Sequence, residues 1–355
     1  SSKGNLLSVL KYFGSPKQCA VSYEIMNRMD DLPENLLLKI FEYLAVKELC
    51  IAGRVCRQWR RIVRDNTLWR HVDLLNYRLD LKKMWKLIRS HLSECLLSIK
   101  IKGFLDTGKP KFGAYSLSDA MLKDLKERCP NLKEIHLKNC NTMNLDPSLL
   151  PSGLVKLTLE NCAIEPGLMK HFTRDLPELS YLDVSRTVRF DDRELSYVCG
   201  TDQLKVLIMN GCYRVTAEGL SKAAQQMASL ERMEIGDAAI ENKNQNFELA
   251  AHHMTRHMVS LKHLNLQGCK PLTSDVLKVL LSGLKKLETL NVACCLMKYD
   301  SFVNIEPYLK KIKLLEICSS EMGHQQVEDL ESILLECSVK MVRCVKSCSS
   351  AVVSS

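Results

Sequence analysis

The residues of this chain that could do chemistry are scattered rather than gathered. His253 and His257 stand four apart, a spacing that would set two imidazoles on one helix face and suit zinc. No third ligand follows at a persuasive spacing, Arg256 adds positive charge beside them, and the glutamate of a metalloprotease helix is missing. Cys344 and Cys348 lack the spacing of a zinc knuckle, and the adjacent Cys294 and Cys295 would face opposite sides of a strand. A thiol nucleophile needs a neighbouring base, which spacing does not supply. There is no phosphate-binding glycine loop and no serine-hydrolase elbow. The pattern predicts no enzyme, no metal and no cofactor, and directs attention to binding.

Charge is the next candidate. The formal net charge is +9, and residues 53–90 hold eleven Lys and Arg against three acids. Arg54, Arg57, Arg61 and Arg64 are spaced 3, 4 and 3, as on one helix face that could meet an acidic partner, a phosphate or solvent. A nucleic-acid groove would be basic along its length, and this chain concentrates its excess in one short stretch.

The elements that would position any site follow from a repeat. An apolar residue followed by others three, five and eight positions later recurs nine times, from Leu96-Ile99-Ile101-Phe104 to Ile312-Leu315-Ile317-Ser320. After a first step of 36 residues the starts lie 22, 25, 25, 26, 31, 26 and 25 apart. That is the period of leucine-rich repeats, so a solenoid is expected, with return helices over 118–128, 191–199, 216–226, 274–281 and 324–337. Five of the 16 cysteines (Cys140, Cys162, Cys212, Cys269 and Cys295) fall at the fourth repeat position, where a small buried residue is wanted. Packing explains them better than disulfides, and an intracellular protein, cytoplasmic or nuclear, is expected. No run of about 18 apolar residues is present, so no membrane span is expected.

Ahead of the repeats the organisation changes. Residues 1–29 show no sustained periodicity and are expected to be a tail, with Met29 a natural start. Residues 30–77 form a separate unit. Asp31 could cap a helix bearing Leu36, Leu37, Ile40, Phe41 and Leu44, with Pro33 in its first turn. Two more helices are expected over 47–54 and 55–64, and a further one carrying Met84 and Trp85 should cap the repeat array of residues 78–340. Residues 341–355 would be a second tail, and the segment 239–259 and the loop 106–115 are insertions.

The ordered set Asp31-Leu32-Pro33, Leu36-Leu37, Ile40-Phe41, Tyr43-Leu44, Leu49, Arg54-Val55-Cys56, Trp59 and Leu68-Trp69 resembles an F-box. The repeats resemble the cysteine-containing class of leucine-rich repeat, with Cys212-Tyr213-Arg214-Val215-Thr216 as one example, although those ending in Thr187, Ala238 and Ser320 lack the cysteine. In that order the two resemble the F-box and leucine-rich-repeat family over about residues 30–345. The resemblance implies an α/β fold: a small three-helix F-box, then a curved solenoid with parallel strands on the concave face and helices on the convex face.

The resemblance also implies a function. The F-box would dock a Skp adaptor and through it a cullin and a RING subunit. Carried over by position, Leu32, Pro33, Leu36, Leu37, Ile40, Leu49, Val55, Cys56 and Trp59 would supply the adaptor contact or its support. The repeats would hold a protein substrate for ubiquitination, with neither nucleic acid nor membrane as partner. A leucine-rich-repeat interaction or inhibitor protein outside any ligase is the alternative.

Strand side chains alternate, so positions two, four and six after each first apolar residue should face outward. Five of these 27 are basic and five acidic, which makes the face neutral in sum. Two features are candidates for substrate binding. Tyr181, Val206 and Ile208 form an apolar cluster, and Lys100, Lys102, Lys138 and Lys156 could read an acidic or phosphorylated segment.

Overall fold

The computed structural model describes residues 32–105, 117–143, 145–237, 247–270, 272–295, 297–318 and 322–342. The chain divides into two compact units between Val63 and Arg64.

Among the described residues the first unit holds three short helices, α1 (Glu34–Phe41), α2 (Val46–Ala52) and α3 (Arg57–Val63). Pro33 occupies the N-cap position of α1, one residue before the expected first turn, where its missing N–H costs nothing. The expected cap Asp31 lies outside the described residues. At α2 the Glu48 carboxylate accepts a 2.8 Å hydrogen bond from the Ala45 N–H. Leu37, Phe41, Leu49, Ala52, Ile62 and Val63 are sealed inside. Arg54 precedes α3 and Arg64 follows it, so the four arginines do not share one helix face as their spacing suggested.

The second unit is one parallel sheet with helices in the connections. Its first elements are β1 (His71–Arg78), α4 (Leu81–His91), β2 (Ser98–Lys102), α5 (Asp119–Arg128), β3 (Glu134–Lys138) and a short β4 (Asn141–Thr142). There follow β5 (Lys156–Glu160), β6 (Ala163–Ile164), α6 (Phe172–Asp175), β7 (Tyr181–Asp183), α7 (Asp192–Cys199), β8 (Val206–Ile208), α8 (Ala217–Ala224), β9 (Arg232–Glu234) and α9 (Phe247–His257). The chain continues through β10 (His263–Asn265), α10 (Ser274–Gly283), β11 (Thr289–Asn291), α11 (Tyr299–Val303), α12 (Glu306–Leu309), β12 (Leu314–Cys318), α13 (His324–Ile333) and β13 (Ser338–Val342).

Eleven strands run β1-β2-β3-β5-β7-β8-β9-β10-β11-β12-β13, and β4 pairs with β6 beside them. The register aligns the second residue of every quartet: Ile99, Ile135, Leu157, Leu182, Leu207, Met233, Leu264, Leu290 and Leu315 are successive partners. All nine repeats therefore supply strands in the expected phase. The sheet gains two more, β1 and β13, outside those nine quartets. Because β1 belongs to the sheet, the unit boundary precedes the expected one at Tyr77, and α4 is the return leg of a repeat rather than a cap.

Three details repeat with the period. The residue seven after the first apolar position takes positive φ in seven of the repeats, at Asn139, Asn161, Arg186, Gly211, Asp237, Gly268 and Cys294. There its N–H reaches the next repeat's backbone, as from Asn139 to Glu160 O and from Arg186 to Asn210 O. Twelve residues after the first apolar position, Asp191, Thr216 and Thr273 cap α7, α8 and α10 with their side chains. The fourth quartet position donates backward to the third quartet position of the preceding repeat: Cys162 to Leu137 O, Cys212 to Val184 O and Cys295 to Leu266 O, at 3.1–3.3 Å. That position wants a small buried donor, which is more than the small size read from sequence.

Neighbouring repeats are also tied by acids. Glu194, 1% exposed, accepts hydrogen bonds from the N–H groups of Gly167 and Met169, the start of a 3-10 turn one repeat earlier. Among the described residues no helix is long and apolar enough to cross a membrane.

Candidate functional site

In the helical unit the nine residues expected to serve the adaptor separate by exposure. Pro33, Leu36 (44% exposed) and Val55 (61%) face solvent, and Leu32, Ile40, Cys56 and Trp59 are half-buried. Leu37 and Leu49 are core, so of the two roles expected for the set they can fill only support. Trp59 packs edge-on against Phe41 with centroids 5.2 Å apart, its backbone N–H donates to Cys56 Sγ at 3.4 Å, and its Nε1 is buried with no acceptor among the described residues. Two further apolar residues, Tyr43 (82%) and Ile51 (51%), are exposed here. The signal for Ile51 was its place two residues after Leu49, on the opposite side of α2.

Monomers seldom expose so many large apolar groups on a unit this small unless a partner covers them. The chemistry offered is hydrophobic docking.

On the outer face of the repeat unit, β1 to β5 form an ion-pair network. Lys100 Nζ is 3.0 Å from Asp73, and Lys138 is 2.7 Å from Glu160, which also faces His136 at 3.4 Å and Arg186 at 3.8 Å. Burial alone would raise the Glu160 carboxyl, but Lys138, His136 and Arg186 outweigh it and hold the group below its ordinary value. The His136 imidazole is pushed down, chiefly by burial, against the pull of Glu160. On β7 burial outweighs the Ser185 hydrogen bonds and raises Asp183.

The two predicted substrate features meet here in changed form. Lys156 lies over the Tyr181 ring, 4.4 Å from its centroid, so one lysine and one aromatic form a single platform. Val206 is half-buried beside Tyr181 in register. Ile208 is only 8% exposed, and its expected place in an exposed cluster is corrected: it is closed in on β8 between the register partners Asp183 and Glu234. Lys102 stands in register between Arg78 and Lys138. Beyond β8, Arg232 bonds Glu234 at 2.7 Å and Lys340 pairs with Glu316 at 2.7 Å. Lys100 and Lys138 thus already have carboxylate partners, which weakens their case as receptors for a phosphate.

Among the described residues no group of three or more His, Cys, Asp or Glu is placed to hold a metal. His253 Nδ1 is engaged by Gln225 Nε2 at 3.0 Å, and its ring centroid is 6.1 Å from that of His257. Cys344 and Cys348 lie outside the described residues.

Sequence comparison decides the family. The F-box-like family model matches residues 29–75. F-box/LRR-repeat protein 12 of Bos taurus is 34% identical over 263 residues, 73% of this chain and 77% of that protein. The chain belongs to the F-box/LRR-repeat family.

The F-box-like match of residues 29–75 takes in the Trp69-Arg70-His71-Val72-Asp73-Leu74 segment. The human F-box/LRR-repeat protein 12 is 36% identical over 213 residues, 59% of this chain, and the match spans just under two thirds of that relative, 64%. Among solved structures, the leucine-rich repeat-containing protein LegL7 from Legionella pneumophila superposes with a TM-score of 0.53 at 11% identity, over 77% of this chain and 90% of that one. That likeness bears on the fold alone.

Proposed function

We propose that this chain is the substrate-recognition subunit of a Skp-cullin-F-box type E3 ubiquitin ligase. The observation that carries the reading is the F-box-like segment 29–75 with Leu36, Ile51 and Val55 exposed beside a separate closed core. The F-box would dock the Skp adaptor, and the adaptor would attach it to cullin and RING. The outer face of the repeats, centred on Lys156, Tyr181 and Val206, would hold the protein substrate, and no covalent step would fall to this chain. Its contribution is effective concentration, since a tethered substrate presents its lysines to the conjugating enzyme intramolecularly. Ubiquitination and proteasomal degradation of the bound protein follow from that arrangement.

The test is co-purification with the Skp adaptor from cells, comparing the native chain with the Leu32→Ala, Pro33→Ala double variant. The reading expects adaptor with the native chain and its loss from the variant. If the native chain brings down no adaptor, the chain is better read as a leucine-rich-repeat interaction protein outside any ligase.

A further inference from the structure

The second outward position of the strands forms one row across the sheet, and its carboxylates are Asp73, Asp183, Glu234 and Glu316. Three of them have a cation. Lys100 lies 3.0 Å from Asp73, Arg232 lies 2.7 Å from Glu234, and Lys340 lies 2.7 Å from Glu316. Asp183 makes no ion pair among the described residues. Its Oδ1 accepts from the N–H and the hydroxyl of Ser185, at 2.9 and 2.6 Å, which leaves Oδ2 without a partner there.

The surroundings of Asp183 do not make good the missing charge. Its register partners, Thr158 and Ile208, are 5% and 8% exposed and carry no charge. Lys156, on the neighbouring strand, lies over the Tyr181 ring instead. His136 would favour the carboxylate, but burial holds that imidazole toward its neutral form. Burial raises the Asp183 carboxyl despite the Ser185 bonds, and the charge of Glu160 adds to the rise. A cation brought to Asp183 would relieve that cost.

We infer that Asp183 seats a lysine or arginine side chain of the bound protein, with Tyr181 and Val206 along its stem. Tyr181 and Asp183 are two apart on β7 and project to the same side, and Val206 is the partner of Tyr181 on β8. Both Tyr181 and Val206 are half-buried, so they offer apolar surface to a methylene stem while the carboxylate meets the charged head. This pairing suits a long basic side chain rather than a metal ion, for which no group of three ligands is placed among the described residues. The inference rests on the reading that the outer face of the repeats holds a protein, and it names the chemistry that protein must present. Adaptor binding has no part in its test.

The experiment pans the full chain against phage-displayed random peptides and measures the enriched peptides, synthesised with a fluorophore, by anisotropy. Asp183→Asn keeps the shape and can still accept from Ser185, so it removes the charge alone. The expected result is that peptides enriched by the native chain share a basic residue at one position. Their affinity should fall about tenfold or more for Asp183→Asn, and as much for the native chain when citrulline replaces arginine, or norleucine lysine, at that position. The two changes together should cost little more than either, since both remove one contact. Asp73→Asn, whose acid already has Lys100, should leave the affinity unchanged. Tyr181→Leu should weaken the same peptides, and with the citrulline or norleucine peptides it decides the matter if Asp183→Asn fails to fold. Enriched peptides with no shared basic position, or equal affinity for the native chain and Asp183→Asn, would overturn the inference and leave Asp183 as an internal partner for Lys156. A native chain that enriches no peptide would overturn it too. Either result alongside adaptor co-purification would sink this inference and leave the ligase reading standing.

Discussion

The hydroxyl of Thr187 donates a 2.6 Å hydrogen bond to the carbonyl oxygen of Leu159. Cys162 and Cys212 stand at the same place in the flanking repeats and put their thiols against Leu137 and Val184. Thr187 is therefore a chemical replacement for the repeat cysteine, fully buried like it, and the repeat that lacks the cysteine keeps the bond. Thr187→Cys should change stability by less than about 1 kcal/mol. Thr187→Val keeps the shape and deletes the donor, so it should cost about 1–3 kcal/mol. Urea unfolding of the three proteins checks both, and equal stability of the Val variant and the native protein would refute the account.

The left-handed turn position gives a second contrast. Gly268 has φ +72°, and a Cβ there would fall 2.6 Å from Asp237 Oδ1. Gly200 has φ −72° with open space around its Cβ position. Gly268→Ala should destabilise by at least about 1–2 kcal/mol through backbone strain alone. Gly200→Ala should be neutral or gain about 0.4–1 kcal/mol by restricting the unfolded chain. Thermal unfolding midpoints distinguish them, and the same sign for both would defeat the argument.

Much of this architecture could be read from local pattern, because inward residues of a strand repeat with a fixed phase. Leu157, Leu182 and Leu207 had to point one way, and their register confirms it. Strand β1 carries the same spacing in Trp69-Val72-Leu74-Tyr77, with Val72 in register with Ile99, and it is hidden in the sequence because Leu68-Trp69 also belong to the F-box-like motif. The outer face was harder. That Ile208 is closed in and Lys138 neutralised depends on Asp183, Glu234 and Glu160, which come from other repeats and are invisible to alternation. In the F-box, Leu36 and Leu37 belong to one broad apolar stripe, and only packing decides which of two adjacent leucines faces out.

That division makes a third prediction. Leu36 is 44% exposed and Leu37 is fully buried. Leu36→Asp should leave the helical unit folded, with a stability change within about 0.5 kcal/mol, as for surface substitutions generally. The ligase reading adds that it should weaken adaptor retention by roughly tenfold or more, as a central apolar contact would. Leu37→Asp buries an unpaired charge and should unfold the unit. Circular dichroism on melting, paired with adaptor co-purification, separates the two. Loss of structure in the Leu36 variant would show that the residue supports the core.

A fourth prediction concerns pH. His91 stacks on Trp69, centroids 4.1 Å apart and planes 18° from parallel, with its Nδ1 buried and without a hydrogen-bond partner among the described residues. Burial, and then the nearby charge of Arg64, push its pKa below the ordinary 6.5. The unfolded chain thus takes up a proton near 6.5 that the folded chain resists. The unfolded state binds more protons in that window, so stability is full above about pH 6.5 and falls as the pH drops through 6.5 toward the folded value. His136 and His263 are shifted downward as well and add to the same slope. Replacing His91 with Phe keeps a ring against Trp69 and removes the titration. The loss of stability between about pH 7.5 and 5.5, measured by urea unfolding, should therefore be smaller in His91→Phe than in the native protein. An unchanged slope would mean that the folded protein accommodates the charged ring beside Trp69 at no cost.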